Sequence, residues 1–500
     1  MIEESVSFST LNYTICFVYL ALMFGIGLWL AGKQKTTEDY FLAGRNMPWI
    51  IVAMSMFASL TSAASFIGLP GLAYRENISY IALGMVSVLA APFFIYLFFP
   101  FYRRLRVTTS YEYIGVRYGS AGRYAVSGLF VLLRLSWLGI VIYSPALALT
   151  VVTGVNLYLA ILLMGVLATT YTVLGGLSAV LWTDAIQFLL LVGGAIWVSV
   201  SLLYAVPDGW SGIMKIAGET DHLDVFSWKI NLFEMSATAI AFTTFIGFFQ
   251  EYGIDQVTVQ RLLSTKKFSG MVKAAVFNSF VDLTVTGMLM FMGIGMFAYY
   301  VSFPEQVSDG MSGDRILPFY IIHQLPNGVS GLLITAIFAA AMSSMDSGIN
   351  SISTVIVNDF VKPLRRIART DYQDVQLARL LTIVLGAVAV VVACYISTIG
   401  EIFKAGGTLM SLFSGPILGL FLLGIFTQRA NFRGWIIGVI VAIPATLWLQ
   451  HGTEVHFIYY MFFCLCVNMI ITYPASLIFG GEKAQKKYTL RGRAELNSVE

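Results

Sequence analysis

The sequence predicts an all-α polytopic membrane protein, and three observations carry that prediction. Hydrophobic residues make up 58% of the 500 residues and charged residues only 11%, with a mean hydropathy of +0.79. Apolar stretches of about 20 residues, long enough to cross a ~30 Å hydrocarbon core as helices, recur along the whole chain. The basic residues fall into two alternating sets of connecting segments, as spanning topology requires. No soluble domain needs so much apolar surface, and no Walker A sequence is present.

Thirteen spans are expected, at about 12–32, 48–73, 79–102, 124–153, 156–175, 177–205, 235–254, 274–300, 329–358, 380–398, 400–426, 434–450 and 456–480. With that count, one set of segments holds 24 of the 30 Lys and Arg residues. The opposite set holds five, Arg75, Lys215, Lys229, Arg315 and Lys404, and Arg134 lies within a span. The positive-inside rule then places the N-terminus outside and the C-terminus in the cytoplasm. The membrane is either a bacterial inner membrane or a eukaryotic plasma membrane. The opening MIEESVSFS carries no basic residue, so no cleaved signal peptide is expected. The segments 206–234 and 301–328 hold short helical pieces, and the stretch from Lys483 reads as a solvated tail. Cys16, Cys394, Cys464 and Cys466 all fall in spans and make neither a disulfide framework nor a zinc pattern. No nucleic-acid partner is expected.

The ninth span is the first anomaly. Where a lipid-facing helix carries Leu, Ile and Val, AIFAAAMSSMDSGINS carries Ser343, Ser344, Asp346, Ser347, Asn350 and Ser351. A carboxylate at the centre of a spanning helix costs roughly 2.5–3.5 kcal/mol on insertion scales. Ser343, Asp346, Ser347 and Asn350 follow the i, i+3, i+4, i+7 spacing and share one face. Its hydroxyl, carboxylate and amide oxygens suit a small hard cation, whereas small residues alone would mark a helix–helix contact.

The second span is the next. Ser59, Thr61, Ser62 and Ser65 sit mid-segment among Ala58, Ala63 and Ala64, with Gly68 and Pro70 following. Small and hydroxyl residues let a helix unwind and expose carbonyls, and such broken helices form solute and ion sites at the midplane of inverted-repeat carriers. The alternative is a kinked, tightly packed helix. The seventh span, interrupted by Thr243, Thr244, Gly247, Gln250, Glu251 and Gly253, lies five spans later, where a 5+5 inverted repeat places the counterpart. Phe57, Phe66 and Tyr252 are placed either to gate a cavity or to pack.

Few other charges lie in the membrane. Asp184, in VLWTDAIQF, is placed to meet the hydroxyl face of the ninth span. Asp282 falls near the inner end of the eighth span, where it reaches only the interface. Arg134 lies about eleven residues into the fourth span, ~16 Å deep. It has two readings, holding an anionic group of a solute or partnering a buried carboxylate.

Seven phrases together carry a resemblance over roughly residues 8–480: DYFLAGR (39–45), the small-residue second span, YEYIGVRYG (111–119), GIVIYSPALAL (139–149), YTVLGGLSAVLWTDAIQ (171–187), DQVTVQRLLS (255–264) and AAAMSSMDSGINS (339–351). The chain resembles the sodium/solute symporter family, in wording close to its iodide, monocarboxylate and multivitamin branch and to bacterial sialic-acid symporters. The resemblance implies a LeuT-type fold, with a leading helix and loop (12–47), repeats at 48–205 and 235–426, two further helices (434–480) and a tail from 481. It implies a principal sodium ion held by the carbonyls of Ala58, Thr61 and Ala340 and the hydroxyls of Ser343 and Ser344. It implies a second sodium at Asp184, Ser343, Asp346 and Ser347, where Asp346 departs from the serine found in sialic-acid symporters. Solute is implied against Ser62 and Ser65, with Arg134, Trp137 and Gln250 as further contacts. The carboxylate-binding arginine of sialic-acid symporters aligns with Trp137.

The activity implied is sodium-coupled import of a small organic solute, an organic anion such as sialic acid or a monocarboxylate, and no enzyme chemistry. A sodium/sugar symporter is an alternative. So is a proton-coupled carrier using Asp346 and Asp184. An intramembrane aspartyl hydrolase built on the same two aspartates lacks its GxGD sequence. A channel or a sensor without transport is a further rival.

Overall fold

The computed structural model describes residues 9–224, 232–233, 236–306, 313–364, 369–396, 400–480, 483–492 and 495. Among them nine helices are long and apolar enough to cross a membrane, or ten when the bent pair Trp49–Leu60 and Ala63–Arg75 is counted as one crossing. The difference from thirteen is a matter of lengths. Leu157–Ala205 has 49 residues and one non-helical residue, Gly176. At 1.5 Å per residue it would be about 74 Å long, more than twice the hydrocarbon thickness, so 157–175 and 177–205 are separate crossings. Ala237–Gly253 has 17 residues and misses the length test, whereas Gly400–Phe426, with 27 residues, is long enough to cross. Every expected span therefore falls on a helix. Numbered in chain order, they are Thr10–Ala31, the bent pair, Ile81–Leu105, Ser120–Thr153, 157–175, 177–205, Ala237–Gly253, Phe268–Ser302, Val329–Val355, Asp371–Ile396, Gly400–Phe426, Phe432–Gly452 and Tyr460–Phe479.

Helix starts follow capping chemistry. Ser9 accepts from Asn12 N, Asn156 from Tyr158 N and Leu159 N, and Asp255 from Val257 N, each satisfying amides that have no intrahelical partner. The ninth span is the axis of the bundle. Of its apolar window 89% is buried, against 22% for the first span, whose Phe17, Val18 and Trp29 face outward. Spans two, four, five, six and ten pack around it, and spans twelve and thirteen pair with each other at the periphery. Its C-terminal continuation widens into a π-helical turn, Ile356–Val361, that carries the buried Asp359. Asp359 accepts from Thr109 at 2.8 Å, Ser127 at 2.6 Å and the Arg123 guanidinium at 2.6 Å, which ties the fourth span to the ninth.

The basic segments do share one end of the bundle. Met47 pairs with Thr265, Arg103 donates to Lys266 O, and Arg45 donates to the carbonyls of Arg106 and Val107. Part of the tail is docked there rather than solvated. Tyr113 Oη donates to Tyr488 O at 3.0 Å, Leu490 N to Ile425 O at 2.8 Å, and Thr489 is buried. The expected helical pieces of the two longer segments are Gly209–Glu219 and Gly313–Gln324.

Candidate functional site

The second span stops its first helix at Leu60 and restarts at Ala63, with a bend of 65°. Thr61 is extended (φ −83°, ψ 97°), and Ser62 caps the second piece by accepting from Ser65 N at 3.2 Å. A helix end leaves its last carbonyls without internal donors. Here Thr61 N takes Phe57 O at 2.9 Å, and the Ser344 hydroxyl, arriving from the ninth span, donates to Ser59 O at 3.3 Å. The carbonyl of Ala58 has no helical donor at Ser62, because the chain has left the helix there. Ser59 Oγ lies 3.4 Å from Ser343 Oγ and 3.1 Å from Ser347 Oγ. Ala58, Ala340 and Ser343 are fully buried. The break and the polar face of the ninth span thus meet at Ser59, which touches Ser343, 284 positions away in sequence, together with Ser344 and Ser347.

The two aspartates complete this face. Asp184 of the sixth span accepts from Ser343 at 2.6 Å, Ser55 at 2.5 Å and Ser59 at 3.1 Å. Asp346 accepts from Tyr171 of the fifth span at 2.6 Å and from Ser347 at 3.0 Å. Asn350 accepts from Gln260 at 2.7 Å. Each member of the expected face therefore has a partner on another element or beside it. Tyr171→Phe removes one of the two donors to a buried carboxyl group and is expected to cost ~1.5–3 kcal/mol, the range for a hydrogen bond to a charged group. Thermal unfolding of the purified protein in detergent reads it. A variant indistinguishable from wild type would mean that Asp346 draws nothing from Tyr171.

One member of the site comes from outside the spans. Arg261 belongs to the short helix Gln256–Leu263, between spans seven and eight, and is 1% exposed. Its Nη2 lies 3.0 Å from Asp184 Oδ2 and also donates to Ser347, while its Nε donates to Ser55 at 2.9 Å. Arg261 is one of the 24 basic residues of the connecting segments, yet it is buried inside the bundle. The signal was its place inside DQVTVQRLLS, beside Gln260, which reaches the same face of the ninth span. Asp184 and Asp346 together face one guanidinium, so with both carboxylates ionised this water-poor site holds one negative charge in excess.

A cavity of about 350 Å³ adjoins the break. Thr61 and Ser65 line it, with Phe57, Gln250, Glu251, Tyr252, Asn278 and Asp282 among its other walls. Three solute candidates stand elsewhere. Ser62 is spent as a helix cap, its hydroxyl 3.1 Å from that of Ser65. Trp137 is half-buried in the packing of the fourth span. Arg134 pairs with Asp255 at 3.4 Å in a separate small pocket that Gln250 also lines, in line with its structural reading. Phe66 is fully buried and does not line the cavity, whereas Phe57 and Tyr252 do. Asp282 was expected at the interface. Its helix starts earlier than the expected span, at Phe268, so Asp282 sits about 21 Å along it and faces the cavity.

This architecture has known counterparts. The family model for the sodium:solute symporter family matches residues 40–442. The chain is 33% identical to the sodium/sialic acid symporter NanT of Aliivibrio fischeri, over 95% of each protein. It is 31% identical to the sodium/sialic acid symporter SiaT of Proteus mirabilis, over 91% of this chain and 92% of that one. The human sodium/iodide cotransporter is 29% identical over 91% of this chain and 71% of its own length. The solved structure of a Na+-coupled sialic acid symporter in a substrate-bound outward-open state superposes with a TM-score of 0.91 at 29% identity, covering 96% of this chain and all of that one. Mhp1, a nucleobase-cation-symport transporter, shares the fold at a TM-score of 0.57 and 16% identity, over 90% of this chain and 97% of that one. By family model, relatives and fold alike, the chain belongs to the sodium:solute symporter family.

Proposed function

We propose that the chain imports a small organic solute by sodium-coupled alternating access. The observation that carries this is the meeting of the broken second span with Ser343 and Ser344 of the ninth. A sodium ion held there by the carbonyls of Ala58, Thr61 and Ala340 and the hydroxyls of Ser343 and Ser344 fastens the break to the bundle axis. With Asp184 and Asp346 both ionised, the negative charge beside Ser343 and Ser347 supports a second cation, which must share the site with Arg261 or displace it. Solute occupies the cavity beside Thr61, Ser65 and Gln250. Sialic acid, carried by the bacterial relatives, is the first candidate, and a monocarboxylate the next. We place the repeats at 48–205 and 235–426 and the N-terminus outside, as the distribution of basic residues supports.

Coupling then follows from linkage. Sodium orders the break that forms one wall of the cavity, so sodium and solute raise each other's affinity by the same factor. The membrane potential adds about 2.3 kcal/mol per charge per 100 mV to inward movement.

Uptake of labelled sialic acid and monocarboxylates into proteoliposomes tests this, with an inward sodium gradient, with potassium in its place, and with a proton gradient alone. Sodium-dependent accumulation is expected. Ser343→Ala removes one oxygen ligand and is expected to raise the half-saturating sodium concentration at least ~10-fold, equivalent to ~1.4 kcal/mol. Accumulation driven by the proton gradient alone would replace sodium by a proton at Asp346. The family is one of transporters, which leaves the hydrolase reading without support.

A further inference from the structure

Glu251 and Asp282 lie on the cavity wall formed by the seventh and eighth spans. Both are half-buried, and neither takes part in an ion pair among the described residues. No Lys, Arg or His lines the cavity among the described residues, and the nearby guanidinium of Arg134 is engaged with Asp255. The same cavity wall carries a second feature. Asn278, 3% exposed, lines the same cavity and donates its amide N–H to the Tyr252 hydroxyl, which leaves its carbonyl oxygen Oδ1 without a partner. A carboxylate in the membrane that has no ion-pair partner marks an ion or solute pathway more readily than one held in a structural pair, as Asp359 is by Arg123. A buried carbonyl oxygen without a donor is itself costly. All three groups present oxygen acceptors to the same cavity, and a positively charged ligand there would offset them.

We propose that Glu251, Asp282 and Asn278 form a cation subsite on the cavity wall, separate from the sodium positions around Ser343. Its ligand is a monovalent positive charge, either an alkali ion that accompanies the solute or an ammonium group that the solute itself carries. The separation is structural. Ser343, Asp184 and Asp346 lie on spans six and nine, and none of them lines this cavity. A monovalent cation offsets one of the carboxylate charges that an anionic solute would meet in the cavity, and a zwitterionic solute supplies that charge itself. The proposal rests on the transport reading only in assigning the cavity to the solute.

The test uses the full chain purified in detergent and four forms: wild type, Ser343→Ala, Glu251→Gln/Asp282→Asn, and all three substitutions combined. The first arm measures bound radiolabelled sodium. If an alkali ion fills the subsite, the paired carboxyl variant loses one bound sodium, and this loss adds to that of Ser343→Ala. The second arm measures the midpoint of thermal unfolding with methylammonium chloride or glycine against potassium chloride at equal ionic strength. If an ammonium group fills the subsite, these probes raise the midpoint of wild type and of Ser343→Ala, and the rise is lost in the carboxyl variant. Unchanged sodium binding together with an unchanged ammonium response overturns the proposal. If the double substitution does not purify, Glu251→Gln and Asp282→Asn are read singly, since each halves the charge. If wild type binds no sodium at all, the transport reading fails while the ammonium arm still decides the subsite.

Discussion

Replacing Arg261 by methionine is expected to lower folding stability by roughly 3–5 kcal/mol, the cost of stranding one partner of a buried ion pair. Methionine keeps most of the length of the side chain and none of its charge. Asp184 would retain only the hydroxyls of Ser55, Ser59 and Ser343, and Ser347 would lose its donor. Two buried carboxylates, Asp184 and Asp346, would then face each other's field with no cation. Thermal and denaturant unfolding in detergent, in sodium-free buffer, is the measurement. Sodium is expected to restore more stability to this variant than to wild type, because an ion can enter the place that the guanidinium left. Asp184→Asn/Arg261→Met removes both charges and is expected to recover at least half of the loss. Arg261→Met within about 1 kcal/mol of wild type, below the range for a broken buried pair, or a double variant no better than the single, would show that the pair is not a buried electrostatic unit.

The contrast between Arg261 and Ser343 explains how much of the site was legible in the sequence. Ser343, Asp346 and Asn350 stand inside an apolar run, where each polar residue is an exception and helical periodicity fixes its face. The break at Thr61 was legible for the same reason, since hydroxyl and small residues cluster where a span should be uniform. Arg261 sits in a segment with Lys266, Lys267 and Lys273, and topology reads such a cluster as cytoplasmic charge. That the short helix folds inward under the ninth span is a tertiary fact with no periodic trace. Asp282 was misplaced by a boundary. The apolar run begins near residue 274, but the helix begins at Phe268, and six residues move a side chain by about 9 Å along the axis. Arg134 and Trp137 lie on a span whose cavity-facing surface only packing defines, and neither lines the cavity. Among the described residues nine long apolar helices stand against the thirteen expected spans, and the other four segments come from the bent pair, the division at Gly176 and the helices Ala237–Gly253 and Gly400–Phe426.

Gly176→Ala is therefore expected to be among the most damaging substitutions of a single small residue in the chain. Gly176 has φ +55° and ψ −150°, a conformation that is essentially reserved to glycine. A Cβ there would stand 2.6 Å from the carbonyl oxygen of Tyr40 and 2.8 Å from its Cδ2. Tyr40 cannot retreat easily. It is fully buried in the helix Thr37–Leu42, with its hydroxyl 3.4 Å from Thr382 Oγ1 and from the carbonyl of Thr172. Backbone strain of about 1–3 kcal/mol and overpacking of similar size add to roughly 2–6 kcal/mol, a large part of the 5–15 kcal/mol that holds an ordinary domain. The junction also sets where the sixth span begins, and so where Asp184 stands relative to Ser343. Gly193→Ala is the control. It lies in the same span, at a helical position where a Cβ meets nothing within 4 Å, and it is expected to be neutral or slightly stabilising. Size-exclusion profiles and unfolding midpoints of the two variants in detergent separate the cases. A Gly176→Ala protein as stable as Gly193→Ala would mean that the junction relaxes freely and that the placement of Asp184 depends on the packing of the bundle alone.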